Sequence, residues 1–297
     1  MESKPFKSIQ EQIEILKERG LIVNDEAYAY RVLSHVNYYR LSGYTLTLRK
    51  DNKFYNNIEL EQVMQIYNFD AELRVTLLYL LEYIEVSFRT HFGYFHSKKC
   101  GPLGYLDKEN FVNKNHYDKF NGIILKLIKE NEINEIFVKH HNEKYEGQFP
   151  CWVIVELMSF GCLSRGFKNL YDDVKEMICM EHYSPIPYDY IENWLQGFVI
   201  LRNICAHRGR LYNRYITFSP KLSKKDKKLF KDSNLDLNKQ TKQVFTYIYV
   251  INKLINDIEI KKNFINTFKT LIEKYPFVKL HHYGFPEDWE KFLITRD

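Results

Sequence analysis

AELRVTLLYLLEYIEVSFRTHFGYFH, residues 71–96, decides the fold. Over about seven helical turns it has no proline and one glycine, and its Leu, Val, Ile, Phe and Tyr side chains recur at steps of three and four. A half-buried strand would alternate every second residue, and this stretch does not. Extended upstream to Ile58, the pattern predicts one long helix over 58–96. The same periodicity predicts helices near 8–18, 26–35, 116–130, 133–143, 152–160, 163–170, 188–206, 240–258 and 263–274. Gly and Pro are scarce, at 12 and 8, so the fold class is all-α.

Outside these helices, GPLGYLDKENF (101–111) reads as a loop closing the long helix, and Pro185 and Pro187 punctuate the approach to the helix at 188–206. KLSKKDKKLFKDSNLDLNKQTK (221–242) is polar and lysine-rich and reads as a solvated loop. Three segments follow: an N-terminal helical extension (1–55), a helical core (56–220), and a basic loop with C-terminal helices (221–297).

Net charge is +5 across 297 residues, which permits an anionic partner without demanding one. Aromatic residues make up 16%, and most of them should pack between helices. The five cysteines, at 100, 151, 162, 179 and 205, are odd in number and contain no C-x-x-C pair. That usage fits reduced thiols in a cytoplasmic protein and excludes a disulfide framework or a zinc ribbon. No structural metal and no cofactor are expected. His140-His141 and His281-His282 are adjacent pairs that point to different helical faces, and Cys179-x-x-His182 has no second half. The opening residues, MESKPFKSIQEQIEILKERG, read as an amphipathic helix and not a signal sequence, and no run is long enough to span a membrane.

Two polar constellations stand out. LRNICAHRGRLYNR (201–214) holds Arg202, Asn203 and, five positions after the arginine, His207. Arginine is a permanent planar phosphate ligand, and histidine exchanges protons near neutrality, so the pair suggests phosphodiester chemistry. Residues five apart lie roughly 140° around an ideal helix, so the two converge only where the helix ends or bends, or where the arginine reaches around. Gly209 is a candidate helix stop. Arg208, Arg210 and Arg214, with Lys224, Lys225, Lys227 and Lys228, offer phosphate contacts that carry no base code. The second constellation is Glu82, Glu85, Arg89 and His96, which share one face of the long helix. Glu85 with Arg89 makes a structural ion pair or, together with His96, an auxiliary part of a phosphate site.

HVNYYRLSGY (35–44), LRVTLLYLLEYIEVSFRT (73–90), PCWVIVELMSFGCLSRGFKNL (150–170) and LRNICAHRGRLYNR (201–214) together resemble, in order and spacing, the Abi-like abortive-infection proteins of the AbiD/AbiF group, from about Ile13 to Pro220. That group looks like a branch of the HEPN superfamily, whose ribonucleases carry Arg-x(4–6)-His, often with Asn directly after the arginine. The resemblance implies a HEPN-like helical bundle with N- and C-terminal helical extensions. It also implies catalytic roles for Arg202, Asn203 and His207, a part in phage defence or as a toxin, and restraint by a protein antitoxin or a small RNA.

The expected reaction is metal-independent RNA cleavage leaving 2′,3′-cyclic phosphate ends. One Arg-His set supplies one proton-transfer group, so a homodimer pairing two His207 residues is expected, with His96 as the intramolecular rival. Two other classes compete: a non-catalytic RNA-binding or sensor module, and a helical scaffold in which Arg202 and His207 are buried and paired.

Overall fold

The computed structural model describes residues 5–294, which form fifteen α-helices, four short 3-10 helices and one two-stranded hairpin. The chain enters through α1 (Ile9–Glu18), where Ser8 and Glu11 form a reciprocal capping box. Residues 1–4 of the opening stretch read as amphipathic lie outside the described range. Helices α2 (Glu26–His35) and α3 (Tyr38–Ser42) begin at Asp25 and Asn37, whose side chains accept backbone N–H groups. The hairpin, β1 (Arg49–Lys50) with β2 (Lys53–Phe54), turns through Asp51 and Asn52, both at positive φ.

α4 (Leu60–Cys100) is 41 residues long, about 60 Å, and it is the axis of the molecule. Leu73, Leu77, Leu80, Ile84, Phe88, Phe92 and Phe95 are all buried at its steps of three and four. Each such burial contributes about 1.5–3 kcal/mol, and together they require cover on several sides. α5 (Lys114–Asn131) and α6 (Ile136–Lys144) follow the loop at 101–111, which is present as expected.

The helix expected over 152–160 divides. α7 (Cys151–Ile154) tightens into a 3-10 turn at Val155–Leu157, Met158 is extended, and α8 (Phe160–Lys168) starts afresh. Ser159 causes the break, because its hydroxyl accepts the Cys162 N–H and so works better as an N-cap than as an interior residue. α9 (Asp172–His182) was not anticipated between the two predicted helices that flank it. α10 (Tyr188–Ala206) matches its expected span. α7, α8, α9 and α10 all pack against α4.

The segment at 221–242 is not a loop throughout. It contains α11 (Lys224–Asp232) and α12 (Leu237–Gln240). Ser223 and Asp226 form a capping box, Phe230 enters the core, and buried Asp226 accepts from Tyr249 Oη (2.6 Å) and Lys253 Nζ (2.8 Å). Lys224, Lys225, Lys227 and Lys228 cover its solvent face. α13 (Val244–Leu254) is buried on nearly every side, α14 (Ile258–Lys274) starts at an Asp257 cap, and α15 (Glu290–Leu293) ends the described chain. α14 packs along α4, with the Phe69 and Phe268 rings 6.2 Å apart. Among the described residues no helix is long and apolar enough to cross a membrane.

Candidate functional site

α4 and α10 pack side by side and leave an open groove of about 410 Å³ between them. Arg202 and Ala206, one turn apart on α10, line one wall; Leu78, Glu82, Glu85, Val86 and Arg89 of α4 line the other. Two of the sequence constellations therefore meet: Arg202 shares a groove with Glu85 and Arg89.

The Arg89 guanidinium is the junction of this wall. It donates to Glu85 Oε1 (2.8 Å) and to the Met158 carbonyl (3.0 Å), and it stands 3.5 Å from Glu156 Oε2. Burial pushes the Glu85 carboxyl up, while Arg89, Arg202 and the Phe160 N–H hold its charged form. Arg202 is committed much less. Its Nη1 is 3.5 Å from Asn203 Oδ1, the long limit of a hydrogen bond.

His207 caps α10, its backbone N–H reaching the Asn203 carbonyl, and its side chain is exposed, as is that of Asn203. The helix therefore ends at Ala206, between Arg202 and His207, and neither His207 nor Asn203 lines the groove that Arg202 lines. It stops through paired bonds: Arg208 N–H to Cys205 O (3.0 Å) and Gly209 N–H to Ile204 O (2.7 Å). The left-handed position in that stop, φ 56°, belongs to Arg208 and not to Gly209. Gly209 serves the close approach instead, since a Cβ there would come within 3.0 Å of Ile204.

The loop after His207 is fastened by residues that sequence reasoning missed. Asp70, fully buried, accepts the N–H groups of Leu211 (3.1 Å) and Tyr212 (2.7 Å) and the Tyr44 hydroxyl (2.8 Å), and it forms an ion pair with Arg74. Burial alone pushes the Asp70 carboxyl up; these donors oppose that by stabilising its charged form. Arg40 donates to the Arg208 carbonyl (2.7 Å), and Asn213 N–H donates to the His282 carbonyl (3.0 Å). The one signal available beforehand was the i, i+4 spacing of Asp70 and Arg74 in the long helix.

The basic residues divide by role. Arg210 and Arg214 are half-buried and donate to carbonyls of their own loop, Tyr212 and Asn213 for the former and Arg210 for the latter. Arg208 is exposed. The segment leading to the lysines of α11 docks at Asn193 and Trp194, the N-terminal half of α10, and not at the Arg202–His207 end. Its place in sequence directly after the motif therefore does not become a place beside it.

His96 is the other correction. It is fully buried against Phe92 and Phe111, neither ring nitrogen has a hydrogen-bond partner, and burial pushes its pKa down to about 4. It does not line the groove, and a neutral ring sealed in the core cannot pass protons to a substrate outside. Among the described residues no three His, Cys, Asp or Glu side chains converge as a metal set.

The four sequence blocks thus form one neighbourhood. Arg40 and Tyr44 come from the first, Arg74, Glu85 and Arg89 from the second, Met158 and Glu156 from the third, and Arg202 to Tyr212 from the fourth. A model of the Abi-like protein family matches residues 31–213, more than half of the chain and all of these groups. No curated protein and no solved structure matches it.

Proposed function

The chain belongs to the Abi-like protein family, and from that premise we propose that it is a metal-independent endoribonuclease acting in abortive infection, the defence of bacteria against phage, or as the toxin of a toxin–antitoxin pair. The observation that carries the reading is the ending of α10. An arginine with largely unspent donors lines an open groove, and a solvent-exposed histidine follows where the helix stops.

In this reading Arg202 holds the scissile phosphate and stabilises charge as the phosphorus becomes crowded. His207 removes the proton of the 2′-hydroxyl. The 2′-oxygen bonds to phosphorus, the bond to the 5′-oxygen breaks, and that oxygen takes up a proton, giving a 2′,3′-cyclic phosphate and a 5′-hydroxyl. Asn203, one helical turn before His207, orients the ring or binds a phosphate oxygen. DNA lacks the nucleophile and is refused.

The leaving oxygen needs a second proton-transfer group, and His96 is withdrawn by its burial. The second group is His207 of another copy in a homodimer. Val75, Tyr79 and Val86, exposed on α4 beside the groove, are the apolar surface a dimer would cover. The proposed restraint is a protein antitoxin or a small RNA held by the basic groups.

The test is cleavage of a labelled mixed-sequence RNA in EDTA by wild type and His207→Ala, after stripping bound nucleic acid. Cutting by wild type alone, with cyclic-phosphate ends, is expected. Equal RNA binding without cutting by either would favour the alternative of a non-catalytic RNA-binding or sensor module, whose affinity falls with salt and survives the substitution.

A further inference from the structure

A second cavity, of about 830 Å³, lies beyond the C-terminal end of α4 and shares no lining residue with the Arg202 groove. It lies between the loop after α4, the end of α6 and the start of α7. Its walls carry aromatic rings from two elements: His141 and Tyr145, whose centroids are 4.9 Å apart, and Trp152, which is 52% exposed although it is a large apolar side chain. The His141 ring is held by its Nδ1 contact with the Gln148 carbonyl (3.0 Å), and the Tyr145 backbone by its N–H to the His141 carbonyl (3.0 Å).

The edges of the cavity are polar. Asp107 supplies a carboxylate, of which Oδ1 accepts the Glu109 N–H (2.9 Å), and Asn110 and Gln148 supply amides. Among the described residues lining it there is no lysine or arginine. Flat rings on the walls with a carboxylate and amides at the rim suit a planar heteroaromatic with hydrogen bonds along its edge, the way an unstacked base is held. The volume falls in the range of small-molecule sites and accommodates a base with its ribose. A phosphate would meet the Asp107 carboxylate and no lysine or arginine there, only the imidazoles of His140 and His141. A carboxylate takes up adjacent N–H donors, which guanine presents at N1 and N2, whereas adenine presents only its amino group.

We propose that this cavity binds a purine base, guanine in preference to adenine, without its phosphates. Guanosine stacks on Trp152 and the His141–Tyr145 wall and donates its N1–H and N2–H to Asp107. Inosine, with one of those donors, binds less tightly, and adenosine least.

Tryptophan fluorescence tests this directly, because Trp194 and Trp289 are buried and Trp152 is the exposed indole. Wild-type full-length chain is titrated with guanosine, inosine and adenosine, with free tryptophan amide as the control for absorption by the nucleosides. Saturable quenching in that order of affinity is expected. Asp107→Asn should weaken guanosine about tenfold, the worth of a charge-assisted hydrogen bond, and leave adenosine unchanged. Tyr145→Ala should weaken all three. Calorimetry with Trp152→Phe keeps a readout that does not depend on the reporter. A guanosine-ended RNA tetramer distinguishes the source: binding of the tetramer but not the nucleoside assigns the pocket to a base in a strand, and binding of both assigns it to free nucleoside. No saturable quenching by any of these probes, or quenching by guanosine undiminished in Asp107→Asn and Tyr145→Ala, overturns the proposal. None of these readouts depends on RNA cleavage, so the site stands or falls apart from the nuclease.

Discussion

Asp70→Asn changes one atom and should be among the most damaging single substitutions in the chain. The carboxylate holds four partners at zero exposure: Arg74, the Tyr44 hydroxyl and the N–H groups of Leu211 and Tyr212. An amide keeps one acceptor, turns an N–H₂ group toward groups that are themselves donors, and leaves the Arg74 guanidinium charged with no counter-ion. Removing one member of a buried pair costs about 3–5 kcal/mol. For a chain of this size each kcal/mol lowers the melting temperature by about 2 °C, so a fall of about 6–10 °C is expected. The assay is thermal unfolding followed by circular dichroism, with trypsin digestion between Arg208 and Arg214 as a local readout. Released from Asp70, that loop should be cut in the native state. The double variant Asp70→Asn/Arg74→Met should lose less than the sum of the singles, because the unpaired cation is gone. A loss under about 1 kcal/mol, or strict additivity, would refute the claim that this pair fastens the loop.

Two further outcomes follow from local geometry. Arg208→Gly relieves a left-handed backbone at φ 56°; it should stabilise the chain by about 1 kcal/mol, near 2 °C in melting temperature, while weakening RNA binding through loss of an exposed guanidinium. His96, fully buried with its pKa pushed down to about 4, is neutral in the folded chain, whereas the unfolded chain binds a proton near the ordinary histidine value of 6.5. The unfolded state therefore gains protons first on acidification. Stability present above pH 6.5 is lost as pH falls toward 4, by about 3 kcal/mol from this residue, and His96→Phe should flatten that part of the melting profile.

Long apolar periodicity made α4 and α10 legible, because a helix buried on several sides leaves a repeating signature regardless of its neighbours. α9 was missed although Asp172 and Asp173 open it and Val174 and Ile178 recur at helical spacing, because so short an apolar pattern carries little periodicity. α11 reads as loop by composition because lysines dominate it, whereas Ser223, Asp226 and Phe230 decide its structure. The end of α10 just before His207 was legible from its apolar spacing. The meeting of Arg202 with Glu85 and Arg89 was not, because it depends on how two helices far apart in sequence rotate against each other. His96 misled for the same reason: a shared helical face is read from spacing, but α4 is covered on several sides, and what covers each side comes from elsewhere in the chain.

The fastening of the loop after His207 also bears on how the protein is made. Its carbonyls and N–H groups are claimed by Arg40 and Asp70, which leave the ribosome long before it, and by His282, which leaves long after. A growing chain can present Arg202 and His207 well before the His282 carbonyl exists to receive Asn213. The loop therefore reaches its final shape only late in translation.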